Sequence, residues 1–330
     1  MNQPVPNIQT RLEQTTVFTL LGIRFWDAVR DAQVRDSLLV TARPVIAASP
    51  PGIAASRPAI RAFPTGSGVY AFQGLPGLHD IERPAENGVS TTSPPIQRRF
   101  FVEVRDEQNR FIPMVFGVEL PLDYRGVFLN GSSFPTGSPP ISRPPGFYLF
   151  SAPTRRATPG LTAVRACLIE AGTQRPAAHA VLEVEVNGRR WYGISDERGC
   201  IAVLFPYPTF INIPGASPPE TLQILPFNQQ RWTLSVRVRF SPDTLEFPLG
   251  EENQFGERNP PDLRSIFNQS PGVIWPTYSQ SPPNGTPVEA LSFELVYGQE
   301  LVLRTADLPT TEPWGLPAAE LWIDRNTSPP

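Results

Sequence analysis

Alternating apolar and polar positions between residues 161 and 205 predict four β-strands joined by short turns. We place these strands at residues 161–170, 178–186, 189–194 and 200–205. In the second strand Leu182 and Val184 share one face while Glu183 points to the other, which is the period of two that a half-buried strand requires. Asn187-Gly188 tolerates the positive φ angles of a type I′ hairpin turn.

The same alternation recurs on both sides of this unit. Strands in the first half are predicted over residues 17–26, 38–42, 69–72, 99–105 and 111–120. In the second half, residues 291–297 alternate as a strand, and we expect residues 299–304 to pair with it across Gly298. Residues 261–267 predict one short helix, because their apolar side chains fall on a single face.

Short segments of the two halves match in the same order along the chain. Leu38 aligns with Leu182 at an offset of 144 residues, Gly68 with Gly199 at 131, and Arg99 with Arg231 at 132. An insertion of 13 residues in the loop 43–64 accounts for the drop in the offset. Chance is the alternative for matches this short, but the conserved order and spacing favour an internal duplication.

Proline is the compositional outlier, and it shapes the predicted architecture. The chain has 41 prolines in 330 residues, about 12% against the usual ~5%. Because proline breaks helices, we predict an all-β protein of two tandem β-sandwich domains with long proline-rich loops. The predicted boundaries are an N-terminal arm at 1–16, a first domain at 17–150 and a second domain at 151–330.

Charge and hydropathy narrow the possible partners and locations. The net charge of -3 gives no bulk electrostatic case for binding nucleic acid or an anionic membrane. Every basic residue is arginine, and the lack of lysine excludes Schiff-base chemistry. No run approaches the ~18 apolar residues of a membrane span, and the first residues lack a signal-peptide pattern, so we expect a cytoplasmic protein.

The two cysteines form neither a disulfide framework nor a metal-binding spacing. Cys167 and Cys200 both fall on predicted strands of the same module, so a bridge between them is possible but not required. The favoured interpretation is two reduced thiols that serve as small core residues, because the cytoplasm keeps thiols reduced. The sequence leaves open whether the two side chains touch.

No combination of residues predicts a catalytic, cofactor-binding or metal site. His79 and His179 are the only histidines, which argues against a zinc cluster or a Ser-His-Asp triad. Turn positions account for the clustered carboxylates, which are Asp27, Asp31, Asp36, Asp106, Glu107, Asp196 and Glu197. We therefore expect a protein that is not an enzyme and needs no cofactor.

Aromatic residues in proline-rich segments give a weak signal for a protein interface. They are Phe205, Tyr207, Phe210, Trp275, Trp314 and Trp322. Rings beside arginine are favoured at interfaces, and we expect anchoring contacts at residues 189–191, 207–210, 231–232 and 275–278. The alternative is that these rings only fasten the loops onto the chain's own sandwich.

The central unit resembles a carboxypeptidase-regulatory-like or prealbumin-like β-sandwich module. The resemblance rests on AVLEV at 180–184 and on the turn and strand GISDERGCIAV at 193–203. It covers about 45 residues and implies an all-β sandwich in each of the two predicted domains.

Further segments together resemble a structural protein of phage-tail-like contractile injection systems. They are LGIRFWD at 21–27, SGVYAFQGLPG at 67–77, RRFFVEV at 98–104, PMVFGVELPL at 113–122 and YLFSAPTR at 148–155. The resemblance implies a non-catalytic baseplate or accessory subunit, present in symmetric copies beside other subunits of the particle. Two alternatives remain, a glycan- or receptor-binding module of the fibre or adhesin type and an accessory domain beside a hydrolase.

Overall fold

A computed structural model of the chain confirms the predicted all-β class. In the part of the chain that the structure describes, strands make up nearly all of the regular structure, beside one short α-helix. No helix in the described part of the chain is long and apolar enough to cross a membrane. The structure describes residues 19–30, 32–45, 59–78, 98–120, 127–128, 146–210, 226–252, 256, 258–277, 286–307 and 320–326.

The described residues of the first half form eleven short strands. They are β1 Leu21–Ile23, β2 Phe25–Asp27, β3 Ala32–Val34, β4 Leu38–Pro44, β5 Ile60–Arg61, β6 Phe63–Pro64, β7 Tyr70–Phe72, β8 Arg98–Asp106, β9 Met114–Leu120, β10 Val127–Phe128 and β11 Phe147–Leu149.

Within its described ranges, the second half forms ten further strands, helix α1 and two 3-10 turns. They are β12 Leu161–Glu170, β13 Arg175–Pro176, β14 Val181–Val186, β15 Arg189–Ile194, β16 Cys200–Pro206, the 3-10 turns Phe227–Gln229 and Pro242–Thr244, β17 Arg231–Arg239, α1 Leu263–Phe267, β18 Gly272–Ile274, β19 Ala290–Val296, β20 Leu301–Val302 and β21 Glu320–Arg325.

The first core lies between layers of strands from the first half. One layer is the sheet β5-β4-β8-β9, and the other consists of the sheets β10-β1-β7-β6 and β11-β2-β3. Val40 and Val102 of the first layer are buried in one cluster with Phe25 and Phe72 of the second. Successive residues of a strand face opposite sides, so each layer gives only alternate side chains to this core.

The second core has the same two-layer construction. The sheet β15-β14-β17-β19 forms one layer, and β12 is central to the other, with β16 and β13 on one edge and β20 and β21 on the opposite edge. Leu182 and Val184 are buried in this core, as the alternation predicted. Glu183 faces away and lies 3.4 Å from Arg190 and 3.6 Å from Arg237.

Local turn chemistry was also predicted correctly around the second core. Asn187 and Gly188 have φ angles of 49° and 73°, as a type I′ turn requires. In the following turn the Asp196 carboxylate accepts hydrogen bonds from the backbone amides of Arg198 (2.9 Å) and Cys200 (2.8 Å). The predicted helix is present as α1, with its apolar residues buried.

The predicted pairing of residues 299–304 with β19 is wrong. Strand β20 instead pairs in parallel with β12, opposite Val164 and Arg165, and so belongs to the other layer. Leu303 is fully buried in the second core, and its amide donates to the carbonyl of Arg165 at 2.8 Å. Burial of this leucine outweighs the local preference for a hairpin across Gly298.

Two boundaries in the first half also differ from the prediction. The strand expected at 17–26 is divided into β1 and β2, and the carbonyl of Arg24 between them accepts a bond from the amide of Phe147 at 2.8 Å. The segment expected to be a turn after Asp27 contains β3, which pairs with β2. The predicted arm at 1–16 lies outside the described residues.

Strand pairing repeats between the two halves. In the β4–β8 pair Val40 lies opposite Val104, and in the β14–β17 pair Val184 lies opposite Val236. These are the positions that the sequence offsets of 144 and 132 residues make equivalent. The flanking strands also follow the same order, β5-β4-β8-β9 and β15-β14-β17-β19. The repeated register supports the duplication that the sequence indicated.

Packing crosses the predicted boundary at residue 150. Val181, Ile194 and the apolar side of α1 belong to the second half of the chain, yet they are buried in the first core. A bridge between Val115 and Asp262 brings β9 next to the start of α1. The division into two tandem domains remains a prediction, since the two cores share these elements.

Candidate functional site

Five rings gather where β16 and β19 end and β17 begins, and we call them the aromatic cluster. Its members are Tyr207, Phe210, Phe227, Trp232 and Tyr297. Trp232 is almost fully buried in the second core, whereas Phe227 is 59% exposed. The cluster therefore runs from the core to the surface through rings that are partly covered.

Ring contacts connect the cluster continuously. The centroids of Phe227 and Tyr297 lie 5.1 Å apart in a stacked arrangement, and Tyr297 lies 4.6 Å from Tyr207. Phe210 lies 5.5 Å from both Phe227 and Tyr297. These separations are within the range of favourable aromatic pairs, so each ring restricts the rotation of its neighbours.

Hydrogen bonds within the chain fix the base of the cluster. The indole nitrogen of Trp232 donates to the carbonyl of Thr209 at 3.2 Å. The hydroxyl of Tyr207 accepts a bond from the amide of Gly298 at 2.9 Å, and the amide of Tyr297 donates to Gln230 at 3.1 Å. The exposed part of the cluster is consequently apolar ring surface held on a rigid base.

The structure brings together only some of the aromatic residues that the sequence singled out. Tyr207 and Phe210 lie in the cluster, but Phe205 and Trp322 are buried elsewhere, and Trp314 lies outside the described residues. Sequence reasoning missed Phe227, because a single ring in a polar segment gives no periodic signal. The proline before Phe227, which begins its 3-10 turn, is the one local signal available.

A second surface feature is a cleft of about 570 Å³ in the first half, which we call the arginine cleft. Four arginines and two aspartates are among the residues that line it, namely Arg30, Arg110, Arg155, Arg156, Asp27 and Asp36. Within the described part of the chain, Arg30 and Arg156 form no ion pair. The cleft therefore carries an excess of positive charge and suits a carboxylate or phosphate group.

The floor of the arginine cleft is a buried ion pair. Arg155 reaches both carboxylate oxygens of Asp27, at 3.1 and 2.5 Å, and the two side chains are only 8% and 6% exposed. The same carboxylate accepts the amide of Val29 at 3.0 Å, and the Ser151 hydroxyl accepts from Arg155 at 3.1 Å. The bond to Val29 is a local turn contact, as predicted for Asp27, but tertiary packing also pairs this carboxylate with an arginine 128 residues away.

The neighbouring Arg110 and Asp106 form a more local pair. The Asp106 carboxylate accepts both the backbone amide of Arg110, at 2.6 Å, and its guanidinium, at 2.9 Å. The hydrogen bond between the Arg110 guanidinium and the Asp106 carboxylate raises the pKa of Arg110. The ring of Phe111 lies near two guanidinium groups, 5.4 Å from Arg110 and 4.8 Å from Arg155. These contacts hold both guanidinium groups in place at the cleft.

The other candidates for chemistry do not converge on one site. No group of three or more histidine, cysteine, aspartate or glutamate residues suited to a metal ion occurs in the described ranges. His79 and Asp31 lie outside those ranges, so only one of the two histidines can be placed. His179 precedes β14 with a φ angle of 59°, and its ring lies 6.2 Å from that of Phe247.

His179 gives the protein an expected sensitivity to acid. Burial, assisted by the charge of Arg258, lowers the pKa of His179 from 6.5 to about 4. The unfolded chain then binds the proton first, so stability is complete above about pH 6.5 and falls as the pH drops toward 4. The expected loss is about 1.4 kcal/mol per pH unit in that window. Chemical denaturation at pH 7.5 and pH 5 measures it.

His179→Asn provides the control for this prediction. Asparagine tolerates the positive φ angle but does not titrate, so the variant is expected to lose less stability on acidification. An equal loss in both proteins between pH 7.5 and pH 5 would assign the acid sensitivity to other groups.

Comparison with known proteins assigns neither surface to a family. No protein-family model matches this chain, and no curated protein matches it. The aromatic cluster and the arginine cleft must therefore be interpreted from their own chemistry.

Proposed function

We propose that this chain is a non-catalytic structural subunit of a large protein assembly, the baseplate or an accessory part of a contractile, phage-tail-like injection particle. The observation that carries the proposal is the aromatic cluster, which holds the exposed ring of Phe227 on a base of partly and fully buried rings. Its partners would be other subunits of that particle, with this chain present in symmetric copies assembled in the cytoplasm.

The ring surface and the rigidity of the aromatic cluster suit stable binding to a partner subunit. Aromatic rings supply large contact areas at interfaces and account for much of their binding energy. Because the rings of Phe227 and Tyr297 are already stacked, a partner orders few additional rotatable bonds on binding. The small net charge fits recognition by shape instead of long-range steering.

The type of assembly named in this proposal comes from the resemblance to injection-system proteins. The motifs of that resemblance lie on β1, β2, β7, β8, β9 and β11, which build the first core. These motifs therefore belong to the scaffold of the first core, and the contacts with partner subunits must come from surface residues. The Asp196 carboxylate is held in its turn and the Asp27 carboxylate in an ion pair with Arg155, so structural contacts account for both groups.

The Phe227→Ala, Tyr297→Ala double variant tests the proposal. Removing both rings deletes the exposed stack, and we expect recovery of the intact particle through this chain to fall at least about ten-fold. The measurement is native mass spectrometry of complexes isolated from the producing cells, with particle components counted at fixed stoichiometry. Thermal unfolding of the purified variant checks that the fold is retained.

Phe63→Ala is the matched control, because Phe63 is 45% exposed but belongs to β6, outside the cluster. Recovery through this variant is expected to equal that of the unaltered chain. If the unaltered chain is isolated only as a compact monomer without a stoichiometric partner, the assembly role is wrong.

A glycan- or receptor-binding module is the second candidate, and the exposed face of Phe227 is the observation that favours it. Sugars stack on such faces, although the rings here form a compact cluster instead of a row along a sheet face. A glycan array distinguishes the two candidates. One result in favour of the glycan-binding module is saturable binding of a glycan by the monomer, and the other is loss of that binding in the Phe227→Ala, Tyr297→Ala variant. This pair of results would support the glycan-binding module and not the structural subunit.

A further inference from the structure

Cys167 and Cys200 lie directly opposite each other on neighbouring strands. The antiparallel register of β12 and β16 pairs these two residues, and their sulfur atoms are 2.6 Å apart. Both side chains are half-buried. The prediction that they are core residues is therefore wrong, because the inner face of β12 carries Val164, Ala166 and Leu168 instead.

The backbone around this pair has the geometry that a cross-strand disulfide needs. The amide of Cys200 donates to the Asp196 carboxylate, and its carbonyl accepts from the Asp196 amide at 2.9 Å, so neither group bonds to Cys167. The cysteines thus occupy a non-hydrogen-bonded pair, in which the Cα atoms approach to ~4.5 Å. A disulfide spans Cα separations of roughly 4.4–6.8 Å, so the strands can accept the bond without being moved apart.

We propose that Cys167 and Cys200 form a dithiol/disulfide site that low-molecular-weight disulfides oxidise. One cysteine thiolate attacks the small disulfide, releases one small thiol and leaves a mixed disulfide. The second cysteine sulfur then attacks the first, displaces the other small thiol and closes the Cys167–Cys200 bond. Two electrons pass from the cysteines to the small disulfide, and the two cysteine protons end on the two released thiols.

The surroundings of the pair determine how fast the site reacts. Burial, the contact with Cys200 and the nearby Asp196 and Glu320 raise the pKa of Cys167 to about 12. This thiol is therefore neutral at physiological pH and attacks slowly, since the thiolate is the reacting form. A reducing compartment keeps the pair as two thiols, and an oxidising compartment allows the bond to close.

Closing the bond fixes a junction in the second sandwich. On one edge, β12 pairs with β16 up to Cys167 and with β13 after it. On the opposite edge, β12 pairs with β20 before Cys167 and with β21 from Cys167 onward. The disulfide would join the two strands where this exchange occurs. It would also close a loop between residues 33 positions apart, which restricts the unfolded chain.

The test uses the full-length chain with oxidised glutathione as the probe. After incubation at pH 8.5 and alkylation without reductant, we expect a protein lighter by two hydrogens that accepts no alkyl group. Non-reducing digestion should yield one peptide pair joining Cys167 to Cys200. The thermal midpoint should rise by roughly 5–10 °C relative to the reduced protein.

Single variants separate this site from random thiol oxidation. Cys167→Ser and Cys200→Ser each leave one thiol, so each should stop at the mixed glutathione disulfide and show no rise in the midpoint. The proposal is overturned if the unaltered chain retains two alkylatable thiols after equilibration. It is equally overturned if that chain ends as a stable mixed disulfide or as a disulfide-linked dimer.

Discussion

Replacing Arg155 with methionine is expected to lower the free energy of unfolding by about 3–5 kcal/mol. The variant leaves the Asp27 carboxylate buried without its cation, since the pair is nearly inaccessible to water. Removing one partner of a buried pair costs far more than the pair itself contributes, because the remaining charge has lost its solvation. Urea denaturation monitored by tryptophan fluorescence measures the loss.

Two further variants show whether the unpaired charge causes this loss. The double variant Asp27→Asn, Arg155→Met has no buried charge and is expected to recover much of the stability. Arg231→Met breaks an ion pair with Glu294 whose side chains are both 57% exposed, and it should cost less than about 1 kcal/mol. Equal losses for Arg155→Met and Arg231→Met would contradict this account of the arginine cleft.

Gly199→Ala should have the second largest effect. Gly199 has a φ angle of 74°, and a Cβ atom there would overlap the carbonyl oxygen of Leu168 and lie 3.2 Å from the amide of Ala177. That carbonyl and that amide bond to each other at 2.9 Å, so the overlap forces apart the junction of β12, β13 and β16. We expect a loss of at least about 3 kcal/mol, combining the strained φ angle with the overlap.

Gly188→Ala is a matched control for Gly199→Ala. Gly188 has nearly the same φ angle, 73°, but no atom lies within 4 Å of the added Cβ. Its expected cost is only the conformational penalty of about 1–2 kcal/mol. Thermal unfolding of the two variants side by side isolates the steric contribution, and equal midpoints would contradict the overlap.

The sequence was most informative where structure depends on neighbours along the chain. Strands β12 and β15 have the predicted bounds, and the Asn187-Gly188 turn has the predicted φ angles, because side-chain alternation and turn chemistry are local properties. The β14–β17 pair repeats the register of the β4–β8 pair, in agreement with the internal duplication that the sequence indicated. The partner of β20 was predicted incorrectly, because a strand of two residues carries too little pattern to choose between sheets.

The candidate surfaces depend on distant residues, and for that reason they were harder to predict. Tyr207 and Tyr297 are 90 positions apart, yet their ring centroids lie 4.6 Å from each other. Asp27 and Arg155, which form the buried ion pair, are 128 positions apart. No periodicity along the chain relates residues so far apart in sequence. Only the folded chain shows that Asp27, which the sequence assigned to a turn, lies in the arginine cleft. It likewise shows that Phe227, which the sequence analysis did not single out, lies in the aromatic cluster.

The sharing of α1 between the halves has a consequence for the nascent chain. The first core is complete only when Leu263, Ile266 and Phe267 have left the ribosome, long after β11 has been synthesised. At roughly 5–20 residues per second, this delay is on the order of ten seconds. During that interval the apolar surface that α1 will cover is open to water and to chaperones. The amino-terminal half therefore cannot complete its folding during translation before most of the carboxy-terminal half exists.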